Sequence, residues 1–87
     1  MADLRLLETQ LERIFTDLMI GEQTPVRERT RLNCLRWDSL MQLNLITAIE
    51  QEFQITCADE DVIEMNSFRM AAQLVRERLA DRQARHG

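Results

Sequence analysis

The chain has 87 residues, 45% of them hydrophobic, with two glycines, one proline and a net charge of −4. That length holds one domain with a modest core, and the scarcity of glycine and proline argues against a disordered chain. No apolar run approaches the roughly 20 residues that span a membrane, and the acidic balance speaks against nucleic acid as a partner.

Residues 3–19 read as a first helix. Leu4, Leu7, Leu11, Ile14 and Leu18 step by three and four, Phe15 widens the stripe, and Asp3, Glu8, Glu12 and Arg13 fall off it. Gly21 marks its stop. The chain opens on an acidic helix and not on a charged-then-apolar leader, so a cytoplasmic protein with reduced Cys34 and Cys57 is expected. Residues 20–38 form a loop containing Thr24-Pro25 and the cations Arg27, Arg29, Arg31 and Arg36. So long a connection in a small domain usually carries function. Leu32 and Leu35 are expected to pin it to the core.

A second helix is expected over 39–53, about 22 Å long at 1.5 Å per residue. Asp38 is a favoured N-cap type. Ser39 stands where helix N–H groups lack partners and the dipole is positive, a place that stabilises an attached anion. Leu43, Ile46, Ile49 and Phe53 fall at helical spacing, with Leu45, Ile49 and Phe53 as a second row. Residues 54–57 read as a connector, and Asp59-Glu60-Asp61 suits the first turn of a short helix over 59–64. Asn66 or Ser67 caps a fourth helix over 67–82. Its buried stripe is Phe68, Ala72, Val75 and Leu79, and Arg76, Arg78, Arg82 and Arg85 crowd its C-terminal half. Residues 83–87 are expected to fray. No segment sustains a period of two, so the fold class is all-α. Leu11, Leu18, Leu43, Ile46, Ile49, Phe53, Phe68 and Val75 form the expected core.

Charge divides along the chain. Residues 1–26 carry −3, residues 27–37 carry +3, residues 38–64 carry −7 and residues 65–87 carry +3. The segment opening at Asp38 is the negative pole and favours a basic protein surface. Every cation in the chain except His86 is an arginine; there is no lysine.

Asp38-Ser39-Leu40 is followed by Leu43, Leu45, Ile46, Ala48-Ile49-Glu50, Glu52-Phe53, Ile55 and the acidic turn Asp59-Glu60-Asp61. This succession resembles the acyl carrier protein family, without a gap from Leu35 to about Leu79; the first helix fits by pattern only. The resemblance implies a single carrier domain over 1–87. Its fold would be a four-helix bundle with three main helices, a short third one and a long loop between the first two. It implies a 4′-phosphopantetheine arm from coenzyme A on Ser39, whose thiol holds an acyl group as a thioester. Asp38 would help the transferase hold its metal ion, and Leu40 would pack beside the serine and meet partners. The implied partners are a phosphopantetheinyl transferase, an acyl-loading ligase or acyltransferase, and enzymes of fatty acid, polyketide or related biosynthesis. In the manner of such relatives, the core could shelter part of the acyl chain. An aminoacyl or peptidyl carrier is the alternative within this reading. An unmodified helical adaptor docking a basic partner is the alternative outside it. A monomer is expected.

The residues also have plainer roles. Ser39 alone would be a helix cap. A catalytic serine needs a base and an orienting partner, and the single histidine, His86, lies in the tail. No metal-ligand spacing or glycine-rich phosphate loop is present, so neither catalysis nor a bound metal is expected. Cys34 and Cys57 default to small buried hydrophobes, with a reactive Cys34 beside the loop arginines as the alternative. Trp37 is either partly buried over the loop–helix joint or a lip over the arm that partners touch.

Met41, Asn44 and Gln51 are uncharged where the housekeeping carriers that this chain resembles place acids. Asp38, Glu50 and Glu52 remain on that helix, and the negative charge moves to Asp59, Glu60, Asp61 and Glu64. Arg27, Arg29, Arg31 and Arg36 add positive charge on the approach to Ser39. A specialised carrier is expected. Its partners would make an apolar contact at Trp37 and Met41, reach Asn44 and Glu50, and make a charged contact at the third helix.

Overall fold

The computed structural model describes residues 4–86, with side chains described from 5 to 82. Expectations placed on Asp3, on the side chains of Leu4, Arg85 and His86, and on Gly87 fall outside them. The helices are α1 (Leu4–Leu18), α2 (Ser39–Phe53), α3 (Asp59–Glu64) and α4 (Phe68–His86), with a 3-10 turn at Val26–Glu28. The fold is an all-α bundle, with no strand among the described residues. The last helix continues past residue 82, where a tail was expected.

α1 buries Leu7, Leu11, Ile14 and Phe15, and packs mainly on α2. Leu18 lies half-buried at the edge of the core and not within it. Met19, on the turn that follows, takes the enclosed position. That turn closes at Gly21, whose φ of +90° favours glycine; an added Cβ would also lie 3.0 Å from the Arg36 guanidinium.

The buried face of α2 is Gln42, Leu45, Ile46, Ile49 and Phe53. Leu43, expected inside, is 56% exposed. The face is centred between Ile49 and Phe53, which turns Leu43 roughly 100° away and brings position 42 inward. α2 ends in a left-handed residue, Gln54, with φ 56°. Arg82 of α4 closes that end, donating to the carbonyls of Phe53 and Gln54 at 3.2 and 2.7 Å. α3 begins where Asp61 accepts the Ala58 N–H at 2.8 Å. α4 is capped by Ser67, whose hydroxyl accepts the Met70 N–H at 3.0 Å. It buries Phe68, Ala71, Ala72, Leu74 and Val75.

The long connection between α1 and α2 is fastened from within. Arg29, almost fully buried, donates to the carbonyls of Phe15, Glu22 and Thr24 at 3.0, 3.1 and 2.8 Å. Its own carbonyl accepts the Phe68 N–H at 3.0 Å, and the Arg31 N–H donates to the Asn66 carbonyl at 2.9 Å. These two bonds form a small antiparallel bridge between Thr30 and Ser67. Leu32 and Leu35 do not pin the loop; each is 99% exposed. Turns closed by Cys34 N–H to Thr30 and Trp37 N–H to Cys34 face Cys34 and Trp37 inward, and the intervening leucines point out.

A lysine ammonium is a compact donor and does not reach three carbonyls spread around a planar fork. Arg29→Lys should therefore lower the unfolding free energy by about 1–3 kcal/mol, seen as a lower urea midpoint at constant slope. An unchanged midpoint would mean that those carbonyls are served equally well without the fork.

Candidate functional site

The loop enters α2 through Asp38, whose extended backbone breaks the helical path. Its carboxylate accepts the Met41 N–H at 2.8 Å, and its carbonyl accepts the Gln42 N–H at 2.9 Å. Asp38 is thus the cap. Ser39 is the first helical residue, and its side chain is exposed, as is that of Leu40. The N–H groups of Ser39 and Leu40 precede the first intrahelical bond and have no acceptor among the described residues. An oxyanion on Ser39 would meet these donors and the positive end of the helix dipole.

Beneath this exposed corner lies a closely packed base. Trp37 is only 2% exposed, so of its two expected places it takes the buried one, more completely than expected, and the lip or partner contact is corrected. Its ring stands edge-on to Phe15 at 5.3 Å, and Phe15 stands edge-on to Phe68 at 5.2 Å. The indole N–H donates to the Gln42 side-chain carbonyl at 2.6 Å. The Gln42 amide nitrogen donates in turn to the backbone carbonyls of Val62 and Met65 at 2.5 and 2.9 Å. Sequence reasoning missed Gln42. The signal was there: it lies three and four residues before Leu45 and Ile46, on the buried face.

The other candidates separate into committed and free groups. Asp61 is committed, since Arg78 grips its carboxylate with a fork at 2.9 and 2.8 Å. Its expected role in partner contact is corrected on that ground. Glu50 is half-buried and accepts the Cys57 N–H at 2.8 Å. Asn44, Asp59, Glu60 and Glu64 are exposed, and Met41 is half-buried against the core. Among the arginines expected near Ser39, Arg27 is turned to α1 and paired with Glu8 and Glu12, and Arg29 is buried. Arg31 and Arg36 remain, with no ion pair among the described residues.

Neither cysteine suits nucleophilic chemistry. Cys34 is buried, and burial with the nearby Glu22 charge raises its thiol pKa. Burial, with the charges of Glu50 and Asp61, pushes the Cys57 thiol up to about 11. The described residues contain no cluster of three groups able to hold a metal ion. None of their helices is long and apolar enough to cross a membrane.

A family model described as "phosphopantetheine attachment site" matches residues 25–75, more than half of the chain and all of α2. Comparison with curated proteins finds no match.

The Arg78 fork holds the Asp61 carboxyl below its ordinary value of 3.8. A depressed folded-state pKa adds stability above the unfolded value, and that stability is lost as pH falls through the folded one. Unfolding midpoints measured between about pH 6 and pH 2 should show an acid limb beginning near the ordinary carboxylate range. Arg78→Gln should flatten that limb. A limb of the same depth in the variant would place the acid sensitivity in other carboxylates.

Proposed function

Because the chain belongs to the acyl carrier protein family, whose members carry a covalent 4′-phosphopantetheine group, we propose that Ser39 is its point of attachment. The observation that carries this reading is the exposed serine at the first position of α2, inside the matched region and beside unused N–H donors. In the modification, the Ser39 hydroxyl oxygen bonds to the β-phosphorus of coenzyme A. The pyrophosphate link breaks, adenosine bisphosphate leaves, and the hydroxyl proton passes to the transferase. Asp38 stays on the helix as its cap while its free carboxylate oxygen faces solvent, where the transferase's metal ion can reach it. Once attached, the arm supplies a thiol that holds an acyl group as a thioester.

The chain contributes presentation and no catalysis of its own. Ser39 stands clear of the surface while Trp37 and Gln42 hold the helix end beneath it, so the tethered group is offered at high local concentration to successive enzymes. Those enzymes would be a phosphopantetheinyl transferase, an acyl-loading ligase or acyltransferase, and enzymes of lipid, polyketide or related biosynthesis in the cytoplasm. The protein acts as a monomer. The same architecture would serve an aminoacyl or peptidyl cargo.

The surface around Ser39 supports a specialised carrier. Glu50 is engaged, Glu52 accepts a hydrogen bond from Gln10, and Asn44 is uncharged. The exposed apolar residues beside the serine are Leu40 and Leu43, with Met41 at their edge. Asp59, Glu60 and Glu64 supply negative charge on α3, and Arg31 and Arg36 supply positive charge on the loop. A partner reading this surface gains chiefly from apolar contact, because exposed charge pairs contribute only about 0–1 kcal/mol each.

Incubation with coenzyme A and a broad-specificity transferase should add one phosphopantetheine by intact mass, and none to Ser39→Ala. An unchanged mass with active transferase would defeat the attachment reading. The holo-protein should be a poor substrate for general fatty-acid elongation enzymes, and Met41→Asp with Asn44→Glu should raise turnover roughly tenfold. Efficient turnover without those changes would remove the case for specialisation.

A further inference from the structure

We propose that Gln42 determines where this carrier keeps its cargo: it bolts the seam between α2 and α3 beside Ser39 and holds the cargo outside the bundle. The proposal rests on Ser39 as the attachment point. An apolar chain tethered there gains by leaving water. Whether it enters the bundle depends on what must be broken to admit it.

Gln42 lies one turn after Ser39 on α2, with its side chain turned inward and only 4% exposed. Its carbonyl accepts from the Trp37 indole, and its amide nitrogen donates to the carbonyls of Val62 and Met65. One side chain therefore fastens the loop, α2 and the C-terminal end of α3 to one another. Both amide hydrogens are used, as is one face of the carbonyl oxygen. Parting the seam would orphan the indole N–H, the amide and two backbone carbonyls in a dry interior. Leaving such groups alone costs more than an ordinary hydrogen bond contributes.

The layer behind the bolt is also filled. Met65 is enclosed, and the Trp37, Phe15 and Phe68 rings pack edge to face beneath the joint. Leu45 and Ile49, further along α2, are fully enclosed. A chain entering here would have to displace close-packed rings as well as the amide. Gln42 acts by exclusion and touches no reacting atom; it is a positioning residue. Its consequence is a carrier indifferent to the length of an apolar cargo, with the thioester open to solvent.

Acetyl-, hexanoyl- and decanoyl-coenzyme A, used by a broad-specificity transferase, would install the three acylated arms in one step. The gain in intact mass reports attachment independently of the seam. Thioester cleavage by hydroxylamine is then measured on each form, relative to the same thioester on free pantetheine, together with melting temperature. The expected result is one relative rate, within about twofold, and one melting temperature for all three. Gln42→Ala, if folded by circular dichroism, should slow cleavage of the decanoyl form at least about fivefold relative to the acetyl form. Trp37→Phe keeps an aromatic ring at the joint but removes the indole N–H that holds the amide, and should shift the decanoyl rate in the same direction. It decides the matter if Gln42→Ala does not fold. Protection or stabilisation that grows with chain length in the unaltered protein would overturn the proposal. So would length-independence in the folded variants. A mass that never changes would instead defeat the attachment reading, and the proposal would fall with it.

Discussion

A buried carboxamide must be satisfied at both ends, and Gln42 is satisfied only while the loop, α2 and α3 hold their present places. Trp37 is drawn in by the same bond, and its ring completes the edge-to-face series with Phe15 and Phe68. With Trp37 and Gln42 both turned inward, the loop–helix joint turns its other side out, and of the residues between them only Met41 lies half-buried against the core. Asp38, Ser39 and Leu40 are exposed for that reason. The accessible serine is thus a consequence of what is buried on either side of it, and the Asp38 cap fixes the helix start at that residue.

Guanidinium forks do much of the remaining fastening. Arg29 serves carbonyls in the last turn of α1 and in the loop after it, Arg82 those at the end of α2, and Arg78 grips Asp61 from α4. Arg27 ties the 3-10 turn to α1 through Glu8 and Glu12. Helix ends and irregular segments leave carbonyls pointing in several directions, and a planar donor with five N–H groups meets them in a way that a point charge does not. The strongly acidic stretch that begins at Asp38 is accordingly less free than its composition suggests. Asp61 is paired, Glu50 holds a backbone N–H and Glu52 accepts from Gln10, which leaves Asp59, Glu60 and Glu64 as its uncommitted acids along α3.

Helical spacing made the bundle legible, because Leu11, Ile49, Phe53, Phe68 and Val75 repeat at the period that puts them on one face. The serine and its cap were legible because capping chemistry is local. Three things were not. The full burial of Trp37, beyond the partial cover that was one of its two expected places, and the outward turn of Leu32 and Leu35 depend on the path of an aperiodic loop, which hydrophobicity does not encode. Gln42 sits on the buried face by position but carries a polar side chain, and only its distant partners at Val62 and Met65 make that burial tolerable. Asp61 reads as a surface acid until Arg78, seventeen residues later, is brought beside it by the packing of α4.

The choice of arginine for every strong cation has a chemical corollary for a protein that would bear a thioester. A lysine ε-amine, once deprotonated, attacks such esters and keeps the acyl group as an amide. A guanidinium stays protonated throughout the neutral range and offers no lone pair for that attack. With no lysine anywhere in its 87 residues, the chain has no side-chain amine that could take a thioester-bound group off such an arm. The residues that fasten its helices together would be, by the same chemistry, inert bystanders to an activated bond carried beside them.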